Sequence, residues 1–332
     1  MSARRRHARI SSETGRVLRR ALSCAGAVAM ALIAVAPASA RPVRTVVAFD
    51  ASARQTPENL AIADDGTIYV SLAFASEIRR IAPNGQQTTL TMPTHGGITV
   101  GVAIDRHHGG DLDVAVRSTD PAAAGIWRVS RKTFARPRRI APLPPTSFPN
   151  GITFDRSGNL YIADSTLGQI WRLAPGASRP KVWCKNELLA PTGASFMNFP
   201  LPGANGIKIW HDEVYVSNTS TQTILAIPIE RHGEPERPAV QFRGVQADDF
   251  AFAADGEMYI ALNPLSELIR VTAKGARQIL ATHAYGLQNT SAVAFDPRPG
   301  RRRHLFITNS SYFGTTPTLQ ETTANTVGLP LP

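Results

Sequence analysis

Six times along its 332 residues this chain repeats one pattern: an apolar alternating run, a tight polar turn, and a second run built around Tyr-Val, Tyr-Ile or a near equivalent. The copies are PENLAIADDGTIYVS from Pro57, VGVAIDRHHGGDLDVAV from Val100, PNGITFDRSGNLYIADS from Pro149, ANGIKIWHDEVYVSN from Ala204, ADDFAFAADGEMYIALN from Ala247 and TSAVAFDPRPGRRRHLFITN from Thr290. Aligned on Ile62, Ile104, Phe154, Ile209, Phe252 and Phe295, they are spaced by 42, 50, 55, 43 and 43 residues. Alternation of period two on both sides of a short turn is the signature of a β-hairpin. A third apolar run follows most copies (EIRRIAP, GIWRVS, QIWRLAP, TILAIPI, ELIRVTA), and then a fourth. Four short strands in each unit of roughly 45 residues describe a propeller blade, so six copies predict an all-β, six-bladed β-propeller with four-stranded antiparallel blades. A solenoid of the same hairpins is the alternative arrangement. The segment Val43 to Phe49 precedes the first full blade and is expected to complete the last one, closing the ring with a strand from each end of the chain. The 25 Gly and 25 Pro supply the many turns that such a fold requires.

The first forty residues stand apart from this repeat. A basic start with seven Arg is followed by the 16-residue apolar run Ala21 to Ala36 and then by Ala38-Ser39-Ala40. That order of charge, short apolar core and small-x-small site describes a secretory signal peptide cleaved after Ala40, leaving 41–332 as the propeller domain. The run is shorter than the roughly 20 residues of a membrane-spanning helix, so no stable span is expected after cleavage. The protein is expected to be exported, to a periplasm or to the outside.

The leader also carries much of the positive charge. Its seven Arg and one Glu contribute +6 to the formal +11, which leaves +5 on the remainder. With no dense Lys/Arg stripe interleaved with aromatics, nucleic-acid binding loses its main support. The cluster Arg301-Arg302-Arg303-His304 reads as a solvated turn. Beyond the leader only Cys184 remains, so no internal disulfide is expected, and the residue reads as a small buried hydrophobe.

In a propeller the first strand of each blade lines the central axis, so equivalent positions in different blades converge. Four residues before each anchor the blades carry Glu58, Val100, Asn150, Asn205, Asp248 and Ser291. Glu58, Asn150, Asn205 and Asp248 are oxygen donors of the type a hard divalent cation takes: two carboxylates and two amides. Each also has a plainer reading. Asn-Gly is a common turn dipeptide, as at Asn84-Gly85, and Asp248 could cap a loop. Their shared register, and a Glu58 that no turn explains, favour a metal site. Two carboxylates about 5 Å apart would repel by roughly 3 kcal/mol at an effective dielectric near 20, a repulsion that a divalent cation reverses.

This arrangement resembles the senescence-marker-protein/gluconolactonase group, with the paraoxonases and diisopropylfluorophosphatase as relatives. The resemblance covers essentially all of residues 41–332, and its sharpest match is the tetrad: Glu from the first blade, Asn from the third and fourth, Asp from the fifth. It implies a calcium ion, or another divalent cation, held by Glu58, Asn150, Asn205 and Asp248. It further implies hydrolysis of a small-molecule lactone or ester, with Asp248 as the base. The alternative is a non-catalytic exported propeller that binds a ligand or protein partner around a structural metal. A lyase or synthase would need further acids or histidines that the sequence does not place.

Several residues are secondary candidates. Asp249 reads as a solvated loop acid or, as the second reading, as a contributor to the axial site beside Asp248. His95 and His283 precede the second and sixth blades near the expected mouth and read equally as surface histidines, while His211 falls in a turn at the opposite end. The second strands are expected to end near Ser71, Arg117, Asp164, Asn218, Asn263 and Asn309, which would rim the mouth, although turn propensity alone also explains the Asn and Asp among them. The longest irregular insert, from Asn186 to Asn205, carries Leu188, Phe196, Met197 and Phe199, which read either as an apolar lid favouring hydrophobic substrates over sugars or as a loop packing its own small cluster.

Overall fold

A computed structural model describes residues 42–107 and 109–329; the leader expected over 1–40 lies outside them. The described residues form six antiparallel sheets of four strands each. The innermost strands are Pro57–Ile62, Ile98–Asp105, Pro149–Phe154, Ala204–Trp210, Phe250–Phe252 and Thr290–Phe295. Blades one to five are each built from four consecutive strands, whereas the sixth takes Arg44–Ala48 as its outermost strand, paired antiparallel with Thr318–Thr323. The ring is therefore closed by both ends of the repeat region, as expected from Val43 to Phe49, and the solenoid alternative is removed. Besides strands, the described residues hold two single-turn 3-10 helices, Glu187–Leu189 and His283–Tyr285. No helix among them is long and apolar enough to cross a membrane.

The anchor residues of the six copies occupy equivalent rungs of the first hairpin. Ile62 faces Ile68, Ile104 faces Leu112, Phe154 faces Leu160, Ile209 faces Val214, Phe252 faces Met258 and Phe295 faces Leu305. Unequal spacing of the copies is absorbed in loops. The largest spacing, 55 residues, contains the insert between the third and fourth blades, which folds a small hairpin, Ser195–Phe196 with Phe199–Pro200.

Because both faces of every blade are covered, the apolar core is divided into six wedges between neighbouring blades. Tyr161, Ile170, Val216 and Leu225 fill the wedge between blades three and four, and Val47, Phe49, Val70 and Leu319 fill the one between six and one. Cys184 lies in the former, and burial pushes its thiol up to about 11, so it behaves as an inert small hydrophobe.

The axis itself is not packed solid. A cavity of about 130 Å³ lies among the inner strands, bounded by Asn59 and Lys208 on one side and by Arg106, Arg302, Gly328 and Leu329 on the other. The segment around Gly328 crosses this lower end, hydrogen-bonded to the backbone of Phe252, Ala254 and Arg302. A Cβ on Gly328 would lie 2.3 Å from that of Phe295, so only glycine fits there. Most of the basic cluster belongs to this closure, and only Arg303 stays an exposed turn residue. Arg301 bridges Asp296 and Glu321, His304 pairs with Glu321, and an Arg302 guanidinium N–H donates to the Gly328 carbonyl at 2.7 Å. The turn joins the first two strands of the sixth blade, so its cations lie beside acids of that same blade.

Candidate functional site

The four candidate ligands sit at one recurring backbone irregularity. In the first hairpin of every blade the pairing register slips next to the axial position: between Pro57 and Asn59, Thr99 and Val102, Pro149 and Ile152, Ala204 and Ile207, and Thr290 and Ala292. In the fifth blade Asp248 donates its N–H to the Ala261 carbonyl while the Asp249 carbonyl accepts from the Ala261 N–H, again two residues opposite one. A bulge bends the strand and re-aims the extra side chain. Glu58, Asn150, Asn205 and Asp248 are the residues so re-aimed, together with fully buried Val100 and with Ser291, whose hydroxyl donates to the Pro57 carbonyl at 3.0 Å.

Asn150-Gly151 and Asn205-Gly206 are thus inside strands and not turns, unlike Asn84-Gly85. The glycines have a packing reason. A Cβ on Gly101 would lie 2.1 Å from the Asn150 carbonyl oxygen, one on Gly151 2.7 Å from that of Asn205, and one on Gly206 2.6 Å from that of Asp248. The inner strands of the second, third and fourth blades therefore press a glycine against the backbone of the next blade's axial residue, which draws Asn150, Asn205 and Asp248 toward one another.

The amide orientations follow from a hydrogen-bond constraint. The Ser165 hydroxyl donates its single proton to the Ala204 carbonyl at 2.7 Å, so toward Asn150 Nδ2, 3.2 Å away, it can only accept. Likewise Thr219 Oγ1 donates to the Ala247 carbonyl at 2.7 Å and accepts from Asn205 Nδ2 at 3.0 Å. Both amide nitrogens are thereby turned to the hydroxyls. A third hydroxyl at the equivalent place, Ser310, donates to the Pro57 carbonyl at 2.7 Å. Each of these three hydroxyls holds the residue just before the next blade's ligand. They were missed in the sequence, although the signal is visible: an acid or amide followed by Ser or Thr after the second strand, as in YIADS, YVSNT and FITNS.

The acids are unevenly compensated. Asp249 is not a solvated loop acid: it is 4% exposed, paired with the Lys208 ammonium and hydrogen-bonded by Asn59 Nδ2 at 3.2 Å. Lys208 points inward from the fourth blade and lies 5.6 Å from the Phe250 ring centroid. Asp248 accepts from Asn205 Nδ2 at 2.7 Å and from Asn263 Nδ2 at 2.9 Å, and Glu58 accepts from the Tyr312 hydroxyl. Among the described residues neither Glu58 nor Asp248 has an ion-pair partner, so one lysine faces three carboxylates. Desolvation pushes the Glu58 carboxyl up to about 7; the Tyr312 hydrogen bond opposes this and the Asp249 charge adds to it. Burial, and then the Glu58 charge, hold Asp248 well above the ordinary carboxylate range. Two uncompensated formal negative charges with two amides beside them match the donor set and charge of one divalent cation. Among the described residues no three His, Cys, Asp or Glu are placed to hold a metal ion by themselves, so a cation here would depend on the amides.

Most of the other rim candidates have structural roles. Asp164, Asn218 and Asn309 are fully buried: Asp164 takes the Trp171 indole N–H at 2.9 Å, Asn218 donates to the Leu188 and Ala190 carbonyls, and Asn309 donates to Gln320 Oε1 at 2.7 Å. Ser71 stitches blades one and two through the Val100 carbonyl, and the Arg117 guanidinium lies over Phe148. Only Asn263 reaches the axial acids. His95 pairs with Asp120 at 2.8 Å, His283 contacts the Leu287 carbonyl at 3.0 Å, and His211 lies against Trp210. Leu188 packs into the wedge between blades three and four, leaving Phe196, Met197 and Phe199 on the exposed hairpin.

No protein-family model matches the chain, and no curated protein matches it in sequence. Solved structures do match in fold. A gluconolactonase from Xanthomonas campestris is 16% identical with a TM-score of 0.61, over 88% of this chain and 91% of its own. The calcium-binding protein regucalcin from Agrobacterium tumefaciens is 16% identical with a TM-score of 0.60, over 88% and 97%. A catalytically inactive variant of virginiamycin B lyase from Staphylococcus aureus, solved with quinupristin, is 13% identical with a TM-score of 0.55, over 83% and 98%. The fold is shared with proteins of the gluconolactonase and regucalcin type, as the tetrad resemblance implied, and the lyase shows that one fold carries different chemistries.

Proposed function

We propose that this protein is an exported hydrolase of lactones or esters, dependent on calcium or another divalent cation held on the propeller axis. The carrying observation is the pair of axial carboxylates, Glu58 and Asp248, without basic partners beside two amides whose nitrogens are turned to hydroxyls. The fold shared with a gluconolactonase and a calcium-binding regucalcin supports the reading. Residues 1–40 act as the secretory leader and are removed after Ala40.

Glu58, Asn150, Asn205 and Asp248 would hold the cation, which supplies Lewis-acid polarisation of the acyl carbonyl. The remaining roles belong to the chain. Asn205 and Asn263 fix the two Asp248 oxygens, so its carboxylate is oriented to take a proton from the attacking water. Tyr312 holds the Glu58 carboxylate in place. One water adds to the acyl carbon, the acyl C–O bond breaks, and the released oxygen takes up a proton, giving an acid and an alcohol. The Lys208 charge keeps Asp249 neutralised, so that the site carries a net demand for one divalent ion.

Calorimetric titration with calcium, for wild type and Glu58→Gln, tests this together with a panel of lactones and aryl esters with and without chelator. One binding site lost in the variant, and turnover abolished by chelator and by Asp248→Asn, are expected. Metal binding with no turnover on the panel would favour the ligand-binding propeller, and no metal binding would remove the axial reading.

A further inference from the structure

Exposed apolar side chains are not spread evenly over this molecule. Among the described residues seven large hydrophobics are exposed, and six of them, Phe74, Met197, Phe199, Leu265, Tyr285 and Phe313, lie in loops that join second to third strands or enter the next blade. All such loops emerge on the face where the axial ligands begin their strands. The seventh, Val182, lies on an outer strand. Where such side chains also touch one another, an exposed apolar surface on one face is a candidate binding surface.

Part of the collar is joined to the axis. The Tyr312 hydroxyl donates to Glu58 while its ring packs edge-on to Phe74 at 5.8 Å. The next residue, Phe313, packs against Phe196 at 5.7 Å and Phe199 at 5.4 Å, both on the insert hairpin between blades three and four. A loop of the sixth blade thus meets an insert before the fourth blade, and these elements come from opposite sides of a six-membered ring. Phe199 is nevertheless 57% exposed and Phe313 40% exposed, so the contact leaves aromatic surface uncovered. A polyhydroxylated substrate would gain little from such walls, whereas a hydrocarbon chain would lose its hydration against them.

We infer that this aromatic clasp is an apolar subsite for the alkyl or aryl tail of a lipophilic lactone or ester, with the polar head at the axial carboxylates. The inference rests on the axial reading given above. Its occupant is the substrate tail because the collar is continuous with the axial site through Tyr312.

Binding of stable γ-lactams bearing ethyl to decyl chains separates the two readings. Wild type is expected to bind each longer member about two- to fourfold more tightly per methylene. Phe313→Ser and, on the exposed hairpin, Phe199→Ser should flatten that dependence while the thermal transition shows that each is folded. A flat series in wild type would overturn the subsite, even if short lactones are hydrolysed in a chelator-sensitive way. A steep series with no turnover of any lactone would instead count against the hydrolase and leave the subsite standing. Self-association of the wild-type protein or its flotation with neutral vesicles, lost in Phe199→Ser alongside a flat lactam series, would assign the collar to a second copy or to a lipid surface and overturn the proposal.

Discussion

At the scale of single residues, the axial site depends on groups that touch no substrate. Ser165 and Thr219 each have one proton, and because it goes to a backbone carbonyl, the neighbouring Asn must present its nitrogen to the hydroxyl. Ser165→Ala removes that constraint on Asn150, and calcium affinity is expected to fall about 10- to 100-fold in calorimetry, with an unchanged far-ultraviolet spectrum. Rescue by Ser165→Thr distinguishes orientation of the amide from a general loss of packing. The raised Glu58 carboxyl has a second consequence. Its folded value, about 7, lies above the ordinary 4.5, so the metal-free fold favours the protonated form. That contribution is fully present below pH 4.5 and is lost as pH rises through 7. The urea midpoint of the metal-free protein should therefore fall between pH 5.5 and 8, a trend weakened by Glu58→Gln, which leaves the raised Asp248 carboxyl acting in the same sense, and removed by saturating calcium. Asp65, Asp296 and Glu321, whose values are lowered, act in the opposite sense at pH values below that window. A midpoint that rises with pH in the metal-free wild type would contradict this account.

At the scale of elements, each blade contributes one bulged inner strand, and the bulge determines which side chain faces the axis. In the third and fourth blades the glycine after the candidate ligand, Gly151 or Gly206, is part of this element. In Gly151→Ala the new Cβ would meet the Asn205 backbone oxygen at 2.7 Å, and rigid backbone cannot move aside as a side-chain tip can. The variant is expected to lose about 1–3 kcal/mol in urea unfolding and to bind calcium more weakly, since the fourth-blade ligand is displaced. A substitution that is neutral in both measurements would show that the blades have more freedom at the axis than the packing implies. The hairpins, their register and the shared inner-strand position of Glu58, Asn150, Asn205 and Asp248 are legible in the sequence because alternation and turn spacing are local signals. Lys208 is not. It sits at an ordinary alternating position, and its meaning comes from Asp249 on a different blade. Tyr312 and Asn59 were hidden for the same reason, and Asp164, Asn218 and Asn309 misled because a residue after a strand can face inward as readily as outward.

At the scale of the whole molecule, stability is assembled from six wedges and one seam. The seam is the pairing of Arg44–Ala48 with Thr318–Thr323, together with Val47 and Phe49 buried against the first blade. Deleting residues 44–49 removes two buried side chains, worth about 3–6 kcal/mol together by burial alone, and leaves the last blade one strand short. The urea midpoint should drop accordingly, with calcium binding weakened as the first and sixth blades separate; an unchanged midpoint would mean that the ring does not depend on its seam. The same pairing also orders events in time. Arg44 and its partner Glu321 are 277 residues apart, and at roughly 5–20 residues per second a ribosome needs about 15–55 s to deliver one after the other. For that interval the opening strand, RTVVA, is a bare β-edge without its mate, the kind of surface that other unpaired strands seek. Whatever shelters that short segment until the final blade is available, at the ribosome or after export, therefore governs how much of the chain becomes a closed ring.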